Sequence, residues 1–220
     1  LAAKGGHNDE SHNHNDIGTL IVYTDGKPVL IDIGVETYTA KTFSDRRYEI
    51  WTMQSGFHNL PTINGADQVE GIDRAAANIE YEATDAESRL SFDISAAYPK
   101  ASLNHWKRSI VHRRGESITI VDDYKVSEVT GEFVFNFITP CDVTSDEGRV
   151  SLTPREFSEG RVSGSGTLHF DAQKLSASVD SHDVEDGNLK RVWGTQLKRI
   201  RLKINDPLKA DAITVRIDRD

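Results

Sequence analysis

Apolar and polar side chains alternate with a period of two in many segments of this chain, and this alternation constrains the fold most. The clearest case is Glu132 to Ile138, where Phe133, Phe135 and Phe137 occupy every second position. Successive side chains of a β-strand point to opposite faces of its sheet, so this spacing places three rings on one face. We therefore predict strands whose aromatic face points into a core.

Helical spacing is almost absent. Apart from a possible short turn at Ser95 to Tyr98, no window longer than a few turns keeps the i, i+3, i+4 pattern of an amphipathic helix. A length of 220 residues suits one large all-β domain. We predict an all-β fold, an antiparallel β-sandwich, as a single domain over residues 1–220, with Ser158 to Gly166 as a long hairpin loop.

Charge and hydropathy limit the partners. The chain has 26 Lys and Arg residues against 35 Asp and Glu residues, a net charge of -9, which disfavours electrostatic capture of nucleic acid. No apolar run approaches the roughly eighteen residues of a membrane-spanning helix. An acidic ligand would therefore have to be held by a few aimed arginines rather than by a basic surface. Cys141 is the only cysteine, so no internal disulfide can form.

Three of the eight histidines lie in the segment His7 to Gly18. If this segment is a strand, His12 and His14 project to the same side and can reach one centre together. We also predict that the following segments form a hairpin closing at Asp25-Gly26, which returns Asp32 toward these histidines.

His58 can add a third imidazole from the next strand. Two or three imidazoles with one carboxylate suit Zn²⁺ and also Fe²⁺ or Mn²⁺, so the residue types indicate a metal without identifying it. A carboxylate in the apolar run Val29 to Ile33 would be costly to bury without a cationic partner, which makes Asp32 the strongest single candidate. The alternatives are solvated histidines on an edge loop and an Asp32 that caps a turn.

A second group of candidates combines Arg46, Arg47 and Tyr48 with Trp51. Arginine binds carboxylates with two parallel hydrogen bonds, so Arg46 and Arg47 are candidate substrate-binding residues. Tyr48 is a candidate for proton transfer, and Tyr38 is a weaker one. The alternative is a surface ion-pair loop anchored by Trp51.

An ordered set of motifs resembles the C-terminal β-sandwich domain of the heparinase II/III-like polysaccharide lyases, which follows a helical toroid in that family. The resemblance covers about the first two-thirds of the chain, and the set is more specific than any one motif. The motifs are His12–Gly18, Leu30–Gly34, His58-Asn59, Thr62–Gln68, Ala97-Tyr98, Trp106–Arg108, Arg114–Glu116 and Ile120–Asp123.

This resemblance implies specific roles. A metal, usually zinc, would be held by His14, Asp32 and His58, and His12 would lie at the catalytic cleft. Tyr48 matches the family's aromatic segment only loosely. The implied reaction is β-elimination at a uronic acid: a base removes the C5 proton and an acid protonates the departing C4 oxygen.

The same resemblance implies partners and a location. The substrate would be an acidic polysaccharide or oligosaccharide, such as a glycosaminoglycan or alginate, and the protein would be periplasmic or secreted. The resemblance implies that the family's main proton-transferring tyrosine lies in the N-terminal helical domain, which we do not expect within these 220 residues. We therefore expect the chain alone to be inactive and that domain to be its partner.

Two other functions fit parts of the pattern. A cupin-like metal oxygenase would use His12, His14 and His58 as ligands, but cupins place a Glu four residues after the second His, where this chain has Gly18. A non-catalytic carbohydrate-binding or structural sandwich would use the metal for stability alone.

Overall fold

The alternating segments form antiparallel strands in the computed structural model, which describes residues 1–219. The strands are β1 (Ala2–Ala3), β2 (His7–Asn8), β3 (Leu20–Thr24), β4 (Lys27–Leu30), β5 (Pro61–Thr62), β6 (Gly71–Ala75), β7 (Ala77–Ala83), β8 (Glu87–Asp93), β9 (Leu103–Arg113), β10 (Ser117–Val126), β11 (Val134–Thr139), β12 (Asp142–Asp146), β13 (Arg149–Thr153), β14 (Glu156–Ser158), β15 (Arg161–Val162), β16 (Gly166–Phe170), β17 (Leu175–Asp183), β18 (Gln196–Ile204) and β19 (Ala210–Asp218). The helix α1 spans Gly187–Trp193, and 3₁₀ turns span Ala40–Phe43, Arg47–Glu49, Trp51–Met53, Ser55–Phe57 and Ser95–Ala97.

Two of the sheets form the layers of a sandwich, which confirms the predicted fold class. One sheet has eight strands in the order β12-β13-β16-β19-β10-β9-β8-β7, and the other has four in the order β17-β18-β11-β5. A further sheet has the order β1-β3-β4. The strand pairs within these two sheets are antiparallel, both between consecutive strands such as β9 and β10 and between distant strands such as β10 and β19.

The aromatic face of β11 points into the core between these two sheets. Phe133, Phe135 and Phe137 are each at most 2% exposed and pack in the same cluster as Trp106. Trp106 stacks on Tyr124 with ring centroids 4.9 Å apart. The aromatic alternation therefore predicted the inward face of this strand correctly.

The opposite face of β11 is buried as well. Ile138 belongs to a second apolar cluster with Ile31, Leu189 and Trp193. The long connection from β4 to β5 and the helix α1 contribute these side chains and cover the outer face of the four-stranded sheet. This connection carries most of the candidate site residues.

The predicted first hairpin is confirmed. Tyr23 pairs with Pro28 and Thr24 with Lys27 across the turn. Both turn residues, Asp25-Gly26, have positive φ values of 51° and 74°. A two-residue turn of this kind matches the twist of its strands, and the Asp-Gly pair suits it.

The structure adds two local details. The helix α1 has only seven residues, too few for its apolar spacing to stand out in the sequence. The predicted loop Ser158 to Gly166 lies within the connection between the paired strands β13 and β16, and it contains β15, which pairs with β14 in a small hairpin. Ser95–Ala97 forms the expected turn. Within residues 1–219, no helix is long and apolar enough to cross a membrane.

Candidate metal centre

His14, Asp32 and His58 come together at one end of the first hairpin. Each offers one ligand atom, and these atoms lie within 4.8 Å of one another. His58 is fully buried and His14 is 8% exposed, whereas the Asp32 side chain is 33% exposed. Asp32 lies just beyond β4, and His58 directly follows the 3₁₀ turn Ser55–Phe57 rather than lying in a strand as predicted.

The imidazole of His58 lies between two hydrogen-bond acceptors. Its Nδ1 is 3.0 Å from Asp32 Oδ2, and its Nε2 is 3.1 Å from the carbonyl oxygen of Thr52. Because a carboxylate and a carbonyl can only accept, both ring nitrogens carry protons in this arrangement. Burial lowers the pKa of His58, but the hydrogen bond and charge of Asp32 outweigh it and raise the pKa above its usual value.

The other two members respond differently to the same surroundings. Burial, followed by the charge of His58, lowers the pKa of His14 to about 4, so this imidazole is neutral at pH 7. Burial raises the pKa of Asp32, but the hydrogen bond and charge of His58 outweigh this effect and hold the pKa well below its usual value. The cluster therefore offers a neutral imidazole and a carboxylate.

His12 lies apart from this cluster, so the prediction that His12 and His14 share a side was wrong. The segment between β2 and β3 forms turns rather than a strand, and His12 has a positive φ of 62°. Its Nδ1 is 3.1 Å from the hydroxyl of Tyr38, and the two rings stack with centroids 5.6 Å apart. An exposed imidazole bonded to a phenol is a unit that can transfer a proton.

The arginines and Tyr48 make other contacts. Arg47 donates from Nε and Nη2 to the carbonyl oxygen of Asn13, at 3.0 and 2.8 Å. The hydroxyl of Tyr48 accepts a hydrogen bond of 3.1 Å from Asn13 Nδ2. Arg46 is exposed and donates to the carboxylate of Glu49. Arg47 and Tyr48 thus hold the turn beside His14.

Tyr38 is the tyrosine that contacts His12, although sequence reasoning ranked Tyr48 above it. The sequence separates Tyr38 from His12 by 26 residues. No spacing rule links them, because residues 31–39, which connect β4 to the 3₁₀ turn at Ala40–Phe43, adopt no regular structure. The structure was needed to find this pair.

The sequence matches the profile of the family described as heparinase II/III-like, C-terminal, over residues 1–213. The chain belongs to this family. The match confirms the resemblance drawn from the motifs. A search of curated proteins found no significant relative.

Solved structures support the same fold. Heparan sulfate lyase HepC from Pedobacter heparinus superposes with a TM-score of 0.74 at 17% identity, covering 98% of this chain and 32% of that one. Heparinase III, the BT4657 gene product, superposes with a TM-score of 0.71 at 15% identity, covering 99% and 31%. This chain therefore spans about a third of the length of these lyases.

Proposed function

We propose that this chain is the metal-binding sandwich domain of a polysaccharide lyase that cleaves a uronic-acid-containing polysaccharide by β-elimination. The observation that carries the proposal is the pairing of His12 with Tyr38 in a chain whose His14, Asp32 and His58 converge. Membership of the heparinase II/III-like family supports the reaction class.

The donor set fits a zinc ion. Two imidazole nitrogens and one carboxylate oxygen are common zinc ligands. The carbonyl oxygen of Thr52 accepts the proton on His58 Nε2. The other ring nitrogen, Nδ1, would therefore be the atom of His58 that binds the ion, which would replace the proton on Nδ1. His14, Asp32 and His58 would hold the ion, and its contribution would be to fix the three segments that carry them.

The reaction itself would use His12 and Tyr38. The substrate's C5 proton passes to a base, and the C4 oxygen leaves with a proton from an acid. Tyr38 is 40% exposed and His12 is exposed, so both can reach a polysaccharide on the surface. The hydrogen bond between Tyr38 Oη and His12 Nδ1 lets the phenol and imidazole exchange a proton.

Substrate recognition needs groups beyond this pair. Arg47 donates hydrogen bonds to backbone carbonyls, and Arg46 donates to Glu49. Both guanidinium groups therefore already have partners within the protein, and neither is free to bind a substrate carboxylate. The remaining groups would come from an N-terminal helical domain of the full-length protein. Such a polymer is extracellular, which favours a periplasmic or secreted protein.

The test is a screen of the full-length protein against heparan sulfate, other glycosaminoglycans and alginate. We expect ultraviolet absorbance from an unsaturated uronate to rise with one of these polymers. Binding of the polymers without any unsaturated product would instead support a non-catalytic carbohydrate-binding domain.

A further inference from the structure

Asn59, which follows His58, hydrogen-bonds to the segments that carry the other two candidate ligands. Its Nδ2 donates to the carbonyl oxygens of Leu20, at 2.6 Å, and Ile31, at 3.0 Å. Its Oδ1 accepts from the amide of Ile138 at 2.7 Å. Asn59 is fully buried, so it can exchange none of these bonds for water without opening the fold.

Arg108 joins two of the same segments from the eight-stranded sheet. It is 1% exposed and donates to both carboxylate oxygens of Asp122 at 2.9 Å. Its Nη1 also donates to the carbonyl oxygens of Gly18, at 3.0 Å, and Asn59, at 2.9 Å. The guanidinium therefore ties the loop after His14 to the residue after His58.

We propose that Asn59 and Arg108 are positioning residues, which fix the three segments bearing His14, Asp32 and His58 so that these reach one ion. This inference rests on the proposed metal site. The three ligands lie in irregular segments outside the strands and helices, so strand pairing alone does not set their separation. The side chains of Asn59 and Arg108 supply the missing connections.

A matched control separates positioning from ordinary stabilisation. Asn64 makes a similar set of bonds elsewhere: its Nδ2 donates to the carbonyl oxygens of Ala101, at 2.8 Å, and Glu128, at 3.0 Å. Its Oδ1 accepts from the amide of Thr130 at 2.9 Å. Asn64 has a positive φ of 51°, so glycine is the replacement that removes its side chain without backbone strain.

The experiment compares Asn59→Ala with Asn64→Gly. Each variant is titrated with Co²⁺, whose visible absorption reports the geometry of its ligands. Each is also unfolded thermally with chelator present. Removing a group that orients metal ligands typically lowers metal affinity about 10- to 100-fold. We expect that loss and a changed Co²⁺ spectrum for Asn59→Ala. Asn64→Gly should lose thermal stability and keep both the affinity and the spectrum.

Arg108→Lys is the second variant, in case Asn59→Ala does not fold. Lysine keeps a positive charge beside Asp122 but lacks the planar fork that reaches two carbonyls as well. We expect Arg108→Lys to lose Co²⁺ affinity as well, by a smaller factor than Asn59→Ala. Unchanged Co²⁺ affinity in the folded variants, or an equal loss in Asn64→Gly, would overturn the proposal.

Failure of the metal site would be recognised separately, because the wild type would then bind no Co²⁺. Amide hydrogen exchange would still test the positioning role. Asn59→Ala should speed exchange at Asn15, Ile31 and His58, one amide in each of the three segments, which donate to the backbone carbonyls of Met53, Ile138 and Ser55. Unchanged exchange at these amides would overturn the positioning role, whether or not the wild type binds Co²⁺.

Discussion

At the scale of single residues, Asp32 has two roles that make it the most informative position in the candidate site. It offers a ligand atom to the cluster, and it accepts a hydrogen bond from the buried imidazole of His58. Its side chain is nevertheless 33% exposed, so solvent weakens the attraction between them.

Asp32→Ala should reduce metal content and thermal stability together. The variant loses a ligand and leaves the imidazole of His58 without its carboxylate, which we expect to cost roughly 1 to 3 kcal/mol. Unfolding would be followed with added zinc and again with chelator. Zinc should stabilise the wild type and the exposed-site control Asp45→Ala, but not Asp32→Ala. Equal stabilisation of all three proteins would remove Asp32 from the metal site.

Two tyrosines allow a matched test of proton transfer. Tyr38→Phe removes the hydroxyl that contacts His12, whereas Tyr48→Phe removes one that accepts from Asn13. In the active full-length protein, Tyr38→Phe should lower kcat by about two to four orders of magnitude, because it removes a positioned acid or base. Tyr48→Phe should act mainly on stability. A larger loss of kcat in Tyr48→Phe would return the role to Tyr48.

At the scale of elements, α1 determines how the connection carrying Asp32 is held. Asp186 caps this helix by accepting from the amides of Asn188 and Leu189 at 2.9 and 3.0 Å. Its other oxygen accepts from the amide of Thr37 at 2.9 Å. Trp193, at the end of the helix, donates from Nε1 to the carbonyl oxygen of Ile33 at 2.8 Å.

Asp186→Ala should lower the free energy of unfolding by about 1 kcal/mol, the usual cost of losing a helix cap. Asp186→Asn, which keeps an acceptor oxygen, should lose less. Desolvation raises the pKa of Asp186, but the backbone hydrogen bonds outweigh it and lower the pKa to about 2. The stabilisation is therefore complete above the usual aspartate pKa of 3.8 and is lost as pH falls toward 2. The free energy of unfolding of the wild type and of Asp186→Ala would be measured at pH 2 and pH 7. An equal difference between the two proteins at both pH values would contradict this account.

The sequence predicted regular elements better than the site between them. Phe133, Phe135 and Phe137 follow the period of a strand, and Asp25-Gly26 is a specific turn signal, so both features were predicted correctly. The position of His12 was not, because a left-handed residue in a turn breaks the alternation on which the prediction depended. The motif resemblance grouped His14, Asp32 and His58 without depending on the alternation of side chains along a strand.

At the scale of the whole molecule, the chain covers about a third of the length of its solved relatives, whereas its fold matches theirs over nearly its full length. The β-sandwich core is built from residues of this chain, as the burial of β11 on both faces shows. Folding and the proposed metal binding can therefore be tested separately from the proposed turnover.

We expect the 220-residue chain to fold and bind one zinc ion but to release no unsaturated product from a uronate polymer. His12 and Tyr38 would supply only part of the site, and losing a positioned acid or base typically lowers the rate by about two to four orders of magnitude. The full-length protein should be active and should lose turnover on His12→Ala while keeping its zinc, because His12 lies outside the ligand cluster. Zinc content and product absorbance would be measured on the same samples. Rapid product release by the 220-residue chain would show that it contains a complete active site, and an unaffected His12→Ala protein would exclude His12 from proton transfer.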